Sequence, residues 1–280
     1  MQRLSRNLAV IAVVSLVGLS PVRAEQQDAR AQQMVRKAVE TELAASKVDH
    51  SNWQYKDLDR KPEGAATYWV VETKQGSVKK KIEKDGRPLT AEELSREDAR
   101  IQSFIKDSAL LAKQRKDGEQ DDRRAESMLR MLPDAFLWTV KSDAGDAVTL
   151  AFVPDPKFDP PTMESRVFAA MAGEIVVHRT QNRIKTIKGT LVDNVKFGFG
   201  LFGKMDKGGT FDVERREIAP GLWQITESHV HIRGRALLFK SIGEDEDEVK
   251  SGFRQTAPAT TLEEAANILK GEPASLSALR

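Results

Sequence analysis

The sequence predicts an α+β protein whose main element is a mostly antiparallel sheet of about 10 or 11 strands. Three observations support this prediction. Short runs that alternate apolar with polar residues fill most of the chain, and turn residues separate them. Helical patterns occur only near the start, the middle and the end. The strand–helix–strand alternation typical of a parallel sheet does not occur in the pattern, and an open sheet of this size tends to curl.

The first 24 residues have the three parts of a secretory signal peptide. Arg3 and Arg6 supply positive charge, residues 8–19 form an apolar run, and small residues precede a cleavage site expected after Ala24. A membrane-spanning helix needs about 20 apolar residues, which this run does not reach. We therefore expect a soluble periplasmic protein in which residues 25–280 form a single domain.

The 280 residues carry a formal net charge of +2 and include no cysteine. Three arginines lie within residues 1–24, so the expected mature chain holds 41 basic against 42 acidic residues. This balance lacks the basic footprint of a nucleic-acid-binding protein. Without cysteine, the chain has no thiol nucleophile, no cysteine metal site and no cysteine for a lipid anchor.

In the first half of the chain, helical spacing predicts a helix over residues 29–45. Aromatic and β-branched residues predict strands near residues 53–55, 66–73 and 77–84. Thr90 and Glu93 form a capping box that begins a charged helical insertion at about residues 90–132. We expect Asp117 and Gly118 to interrupt this insertion and Pro133 to end it. It is either a helix laid across the sheet with a solvated outer face or an arm that contacts partner proteins.

The second half has mainly strand patterns. Residues 136–140 and 148–152 predict one hairpin, and residues 175–178 and 183–187 predict another. Short helices are expected at residues 163–172 and 261–270. Further strands are expected around residues 211–213, 223–225, 230–232, 237–239 and 249–255. The acidic run at residues 244–248 lacks the spacing of a calcium loop and predicts a charged, solvated turn.

His229 and His231 are the best candidates for metal ligands. Side chains at positions i and i+2 of a strand share one face, so both imidazoles could reach one ion. Zinc needs three or four ligands, and His178 or Glu227 would have to complete the set. Arg233 and Arg235 continue the same face, where two cations oppose metal binding. A metal-dependent hydrolase built on the two histidines is therefore an alternative hypothesis, and we expect a polar, solvated sheet face.

The segment at residues 197–203 alternates glycine with large apolar residues. Its glycines match a dinucleotide-binding spacing, but turn residues follow where that motif requires a helix. We therefore expect no cofactor. Phe197, Phe199 and Phe202 predict either a loop folded onto the core or an apolar flap beside a cavity or a membrane.

Three stretches carry a resemblance: PDPKFDPPTMESRVFAAMAGEIVV at residues 154–177, IKTIKGTLVDNVKFGFGLFGKMDKGGTFDV at 184–213, and GLWQITESHVHIRGRALLFKSI at 221–242. They resemble a group of exported bacterial proteins and, through them, the periplasmic lipoprotein carriers of the Lol type. The resemblance covers roughly residues 28–256. It implies a half-barrel whose helices lie over an apolar concave face that holds acyl chains, and a buried arginine that helps to hold this lid shut.

The sequence and the resemblance together predict a non-catalytic carrier of lipid or acylated protein, with transient contacts to the envelope membrane. The hydrolase using His229 and His231, and a scaffold that binds proteins through residues 90–132, are the alternatives. The large aromatic residues are the candidates for lining an apolar groove or flap. They are Trp69, Trp138, Phe168, Phe197, Phe199, Phe202, Trp223 and Phe239.

Overall fold

A computed structural model describes residues 28–197, 203–236 and 244–271 of the chain. The strands of the first half are β1 (Trp53–Lys61), β2 (Gly64–Thr73), β3 (Gly76–Lys84), β4 (Arg87–Pro88), β5 (Phe136–Ala144) and β6 (Ala147–Pro154). Those of the second half are β7 (Met171–His178), β8 (Ile184–Leu191), β9 (Val195–Phe197), β10 (Gly203–Met205), β11 (Thr210–Ala219), β12 (Leu222–Ile232), β13 (Gly234–Ala236) and β14 (Glu244–Gln255). The helices are α1 (Ala29–Val48), α2 (Ala91–Phe104), α3 (Ser108–Ala135) and α4 (Leu262–Gly271), with a short 3-10 helix at Glu164–Ala170.

The predicted α+β fold with a large antiparallel sheet is confirmed. The sheet has 11 strands in the order β4-β3-β2-β1-β14-β12-β11-β8-β7-β6-β5, and β4 and β5 form its two edges without closing it. A smaller sheet joins β13, β10 and β9. The centre of the large sheet pairs β1 with β14, which brings Trp53 opposite Gln255.

The first helix begins where the sequence predicts. The Asp28 side chain accepts hydrogen bonds from the backbone N–H groups of Arg30 and Ala31, which otherwise lack partners at a helix start. Val35, Ala38 and Val39 recur at helical spacing, and all three are buried. Helix α1 therefore has one apolar face, and it packs mainly on β5 and α3.

The charged insertion forms two helices, and the break lies before the predicted position. The Thr90–Glu93 capping box starts α2 as predicted, and Asp107 caps the start of α3. The predicted interruption at Asp117 and Gly118 is wrong, because α3 continues through both residues. Pro133 lies inside the last turn, so the helix ends slightly later than expected.

The acidic run is the second point where the structure differs. The prediction of a turn at residues 244–248 is wrong, because Glu244 begins β14, which lies between β1 and β12 in the middle of the sheet. The neighbouring strands supply His229 and Lys61 as partners for these acids, and β14 itself supplies Lys250. The 3-10 helix Glu164–Ala170 takes the place of the expected helix at residues 163–172.

The strand register defines two faces of the large sheet. Opposite residues of antiparallel strands lie on the same face. One row on one face therefore runs across the strands from β5 to β14: Trp138, Phe152, Gly173, Gly189, Phe211, Val230 and Glu246. We call this side the front face. The same reasoning places Tyr55 and Val70 on the front face and Trp69 on the opposite side, the back face.

The helices divide between these faces. On the front face, α1 and the end of α3 cover a buried cluster on β5–β8 that includes Trp138, Leu150 and Ile175. On the back face, α2 and α4 cover a second cluster around Trp69 and Val78. Within the described residues, no helix has the length and apolar character needed to span a membrane.

Candidate ligand-binding face

The structure places four of the predicted lining residues in the core. Trp138 and Phe168 lie in one front-face cluster, where the Phe136 ring is 5.7 Å from the Trp138 ring and 5.3 Å from the Phe168 ring. Trp69 lies on the back face under α4. Trp223 is also buried, and its Nε1 donates to Gln181 at 2.8 Å. These side chains occupy separate regions, and the structure does not bring all four into one site.

The remaining predicted lining residues fall at or beyond the limits of the described chain. Phe199, Phe202 and Phe239 lie outside the described residues. Phe197 is the last residue of β9, and its backbone pairs with Gly203 in the small sheet. The apolar flap predicted from this segment therefore stays a prediction.

A different set of side chains lies half-buried on the front face of the central strands. We call it the central strip: Ile187, Phe211, Val213, Val230 and Ile232. The described helices make their main sheet contacts on β2, β3, β5 and β8 rather than on β11 and β12, which carry most of the strip. On the back face, the same strands carry Thr, Lys, Asp, Glu and His side chains. The central strands thus have one apolar and one polar face.

Glycine shapes the floor of the central strip. Gly189 lies opposite Phe211 on the neighbouring strand. A Cβ at residue 189 would lie 2.9 Å from the Phe211 ring and 2.5 Å from the Ala172 carbonyl oxygen. Only glycine at this position therefore leaves room for the Phe211 ring against β8.

Ionisable side chains border the strip at its β14 side. We call this set the acidic row: Asp57, Asp59, Lys61, Lys79, Glu246, Glu248 and Lys250. Val230 lies opposite Glu246, and Ser228 lies opposite Glu248. The front face therefore changes from apolar to charged between β12 and β14.

Ion pairs connect the members of the acidic row. Lys79 donates to Asp57 at 3.0 Å, and Lys61 contacts both Asp59 at 3.2 Å and Glu246 at 2.9 Å. Lys250 lies 3.2 Å from Glu248. The side chain of Asp57 is only 2% exposed, so one carboxylate of the row is fully buried.

Burial raises the pKa values of several acids here. Burial is the main cause of the raised pKa of Glu248, and contact with Asp57 adds to it. Burial also raises the pKa of Asp59, against the opposing hydrogen bond from Lys61. The pKa of Tyr55 is raised by burial and by nearby carboxylates, beginning with Glu72. At β1 and β14, the front face therefore stabilises the neutral form of these groups over the charged form, compared with water.

A buried ion pair fastens α1 over the front face. Both oxygens of Glu42 accept from Arg183, at 3.1 and 3.0 Å, and Arg215 lies 2.6 Å from the same carboxylate. The backbone N–H of Ile184 also donates to it at 2.8 Å. Burial alone would raise the pKa of Glu42, but the hydrogen bonds and charges of the two arginines outweigh burial and lower it.

His229 and His231 lie on the back face with acidic partners from β14. His229 Nδ1 is 2.6 Å from Asp247, and His231 Nδ1 is 2.6 Å from Asp245. His231 Nε2 is also 3.2 Å from Asp247. These hydrogen bonds are the first cause of the raised pKa of each histidine.

The histidines share their surface with further polar groups but not with a recognisable metal site. A groove of about 420 Å³ passes His229 and is lined by Glu174, Lys188 and Asp212, among others. Within the described part of the chain, no group of three or more His, Asp or Glu side chains has the arrangement to hold a metal ion. Asp245 and Asp247 are the partners of the two histidines. The sequence pattern predicted a turn for these two residues and so did not identify them as partners. Their alternation with Glu246 and Glu248 was the available signal.

Comparison with known proteins found no family model, curated protein or solved structure that matches this chain.

Proposed function

We propose that the protein binds the acyl chain of a lipid or of a lipid-modified protein along its front face, as a non-catalytic carrier in the periplasm. The central strip is the observation that carries this proposal. It offers half-buried apolar side chains on β8, β11 and β12, beside α1 and next to charged groups. An amphiphile needs an apolar surface for its chain and a charged surface for its head group, side by side.

The energetics of acyl transfer are compatible with a site that contains no reacting group. Each CH₂ removed from water contributes about 0.8 kcal/mol. A chain of about 14 carbons therefore offers roughly 11 kcal/mol before the cost of association. Contact with an apolar strip accounts for such binding without hydrogen bonds to the chain.

The finer features of the predicted fold belong to this proposal. We propose that the open sheet curves as a half-barrel with the front face concave and α1 as its lid. Glu42 on α1 and Arg183 and Arg215 on the sheet would hold the lid in place. Export by the segment up to Ala24 and brief contact with the envelope membrane complete the carrier hypothesis.

The test is binding of a dansyl-labelled fatty acid, whose emission rises in an apolar site. Val230→Asn places an amide on the central strip, and we expect roughly tenfold weaker binding from the lost apolar contact. Val176→Asn is the matched control, because Val176 is half-buried on the back face. Urea unfolding checks that both variants fold. Equal affinity of the two variants, or failure of the wild type to bind, would contradict the proposal.

A further inference from the structure

The acidic row contains more carboxyl groups than ammonium groups. Four carboxyl groups come from β1 and β14, and three ammonium groups come from β1, β3 and β14. Each ammonium group already lies within 3.2 Å of a carboxylate of the row. The row therefore lacks one positive charge for neutrality.

Two buried oxygen atoms show where this charge is missing. Among the described residues, Oδ1 of Asp57 and Oδ1 of Asp59 are buried and have no hydrogen-bond donor. Asp57 is in contact with Glu248, and Asp59 lies directly opposite Glu248 on the paired strand. Like charges placed opposite each other destabilise a sheet, and buried acceptors without donors cost more. This arrangement requires a positive charge or a proton beside Glu248.

The position of this deficit fits one part of an amphiphile. Glu246 and Glu248 are half-buried, so a ligand can reach them from the front face, whereas the side chain of Asp57 is fully buried. Val230 adjoins Glu246 on β12, and Phe211 adjoins Val230 on β11. A chain lying over Phe211 and Val230 would bring its head group to Glu246 and Glu248.

Resting on the acyl-binding function proposed above, we propose that the front face selects amphiphiles with an ammonium head group. The ammonium nitrogen lies against Glu246 and Glu248, and the chain lies on the central strip. An anionic head group at the same place would add to the excess of negative charge. The ammonium supplies the positive charge that the four carboxyl groups of the row lack.

The experiment is calorimetric titration of the full-length protein with dodecylammonium and with dodecanoate, each below its micelle concentration. The chains are equal in length, so their affinities differ only through the head group. We expect dodecylammonium to bind roughly fivefold more tightly, as a half-buried ion pair allows.

Variants on the two faces of β14 test which residues cause the preference for dodecylammonium. Glu248→Gln should bring the two affinities close to parity, and Glu246→Gln provides a second front-face variant if the first does not fold. Asp245→Asn is the control, because it removes one negative charge from the same strand on the back face. It should leave the fivefold preference unchanged.

The outcomes separate this inference from the function on which it rests. If neither ligand binds, the acyl-binding function fails. If both bind the wild type equally, acyl binding stands and ammonium selection is overturned. A preference that survives in both Glu248→Gln and Glu246→Gln would also overturn it.

Discussion

Glu42 shows how one buried charge can decide the position of a helix. It lies on the face of α1 that also carries Val35 and Val39, and its side chain is 6% exposed. Helical spacing places this position on the buried face of α1. The two arginines that pair with its carboxylate, Arg183 and Arg215, lie far away in the sequence, so no local pattern could predict the ion pair.

Replacing Glu42 should strongly destabilise the protein. Glu42→Gln leaves Arg183 and Arg215 without their carboxylate, and breaking a buried ion pair costs about 3 kcal/mol. The midpoint of urea unfolding measures this loss. Glu40→Gln is the control, because Glu40 is exposed on the same helix. A midpoint for Glu42→Gln equal to that of Glu40→Gln would contradict the role of the pair.

The two back-face histidines should make stability depend on pH. Their pKa values are raised in the folded state by Asp247 and Asp245. Their contribution is therefore complete below the unfolded-state pKa of about 6.5 and is lost as pH rises through the higher folded-state pKa. Glu227, Asp212 and Lys188 face them from β12, β11 and β8.

We expect the free energy of unfolding to decrease as the pH rises from about 6 to about 8, by less than about 1 kcal/mol because both imidazoles are substantially exposed. His229→Asn combined with His231→Asn should reduce this slope. An unchanged slope would show that the histidines contribute nothing.

At the level of elements, α3 is the largest departure from the local pattern. Asp117 and Gly118 predicted a break at this position. The helix nevertheless continues through both residues, and it does so without burying apolar side chains there. Residues 115–125 are exposed, and charged pairs at helical spacing, such as Glu119 with Arg123, support them. The true break, at residues 105–107, has the helix-capping Asp107 as its signal.

Gly118→Ala tests whether α3 is continuous. A Cβ at residue 118 would meet no atom within 4 Å, so only helix propensity changes. In the interior of an exposed helix, alanine is more stable than glycine by about 0.8 kcal/mol. The urea unfolding midpoint should therefore rise. An unchanged or lower midpoint would mean that the helix is interrupted there.

Strand β14 shows why a charge run can mislead. Five acidic residues in succession usually lie in solvent. Here, alternation sends Asp245 and Asp247 to the histidines and Glu246 and Glu248 to the lysine-containing front face. The hairpins β5–β6 and β7–β8 were predictable because their partners are neighbours in sequence. The partners of β14 are not.

At the scale of the molecule, the order of strands determines which side chains lie next to each other on the front face. Alternation along single strands was sufficient to predict the α+β class and most elements. It could not predict that β14 lies between β1 and β12, since that pairing joins distant parts of the chain. This placement brings the acidic row beside the central strip. Large aromatic residues were the predicted binding surface, and the four of them that are described in full are buried in the core.

The central claim is that an acyl chain lies on the front face. Photo-crosslinking with a fatty acid that carries a diazirine near the end of its chain tests this claim directly, with the labelled residues identified by mass spectrometry. We expect labels on Phe211, Val213 and Val230 or their neighbours on β8, β11 and β12. Labels confined to the back-face groove around Lys188 and His229, or to α3, would contradict the account.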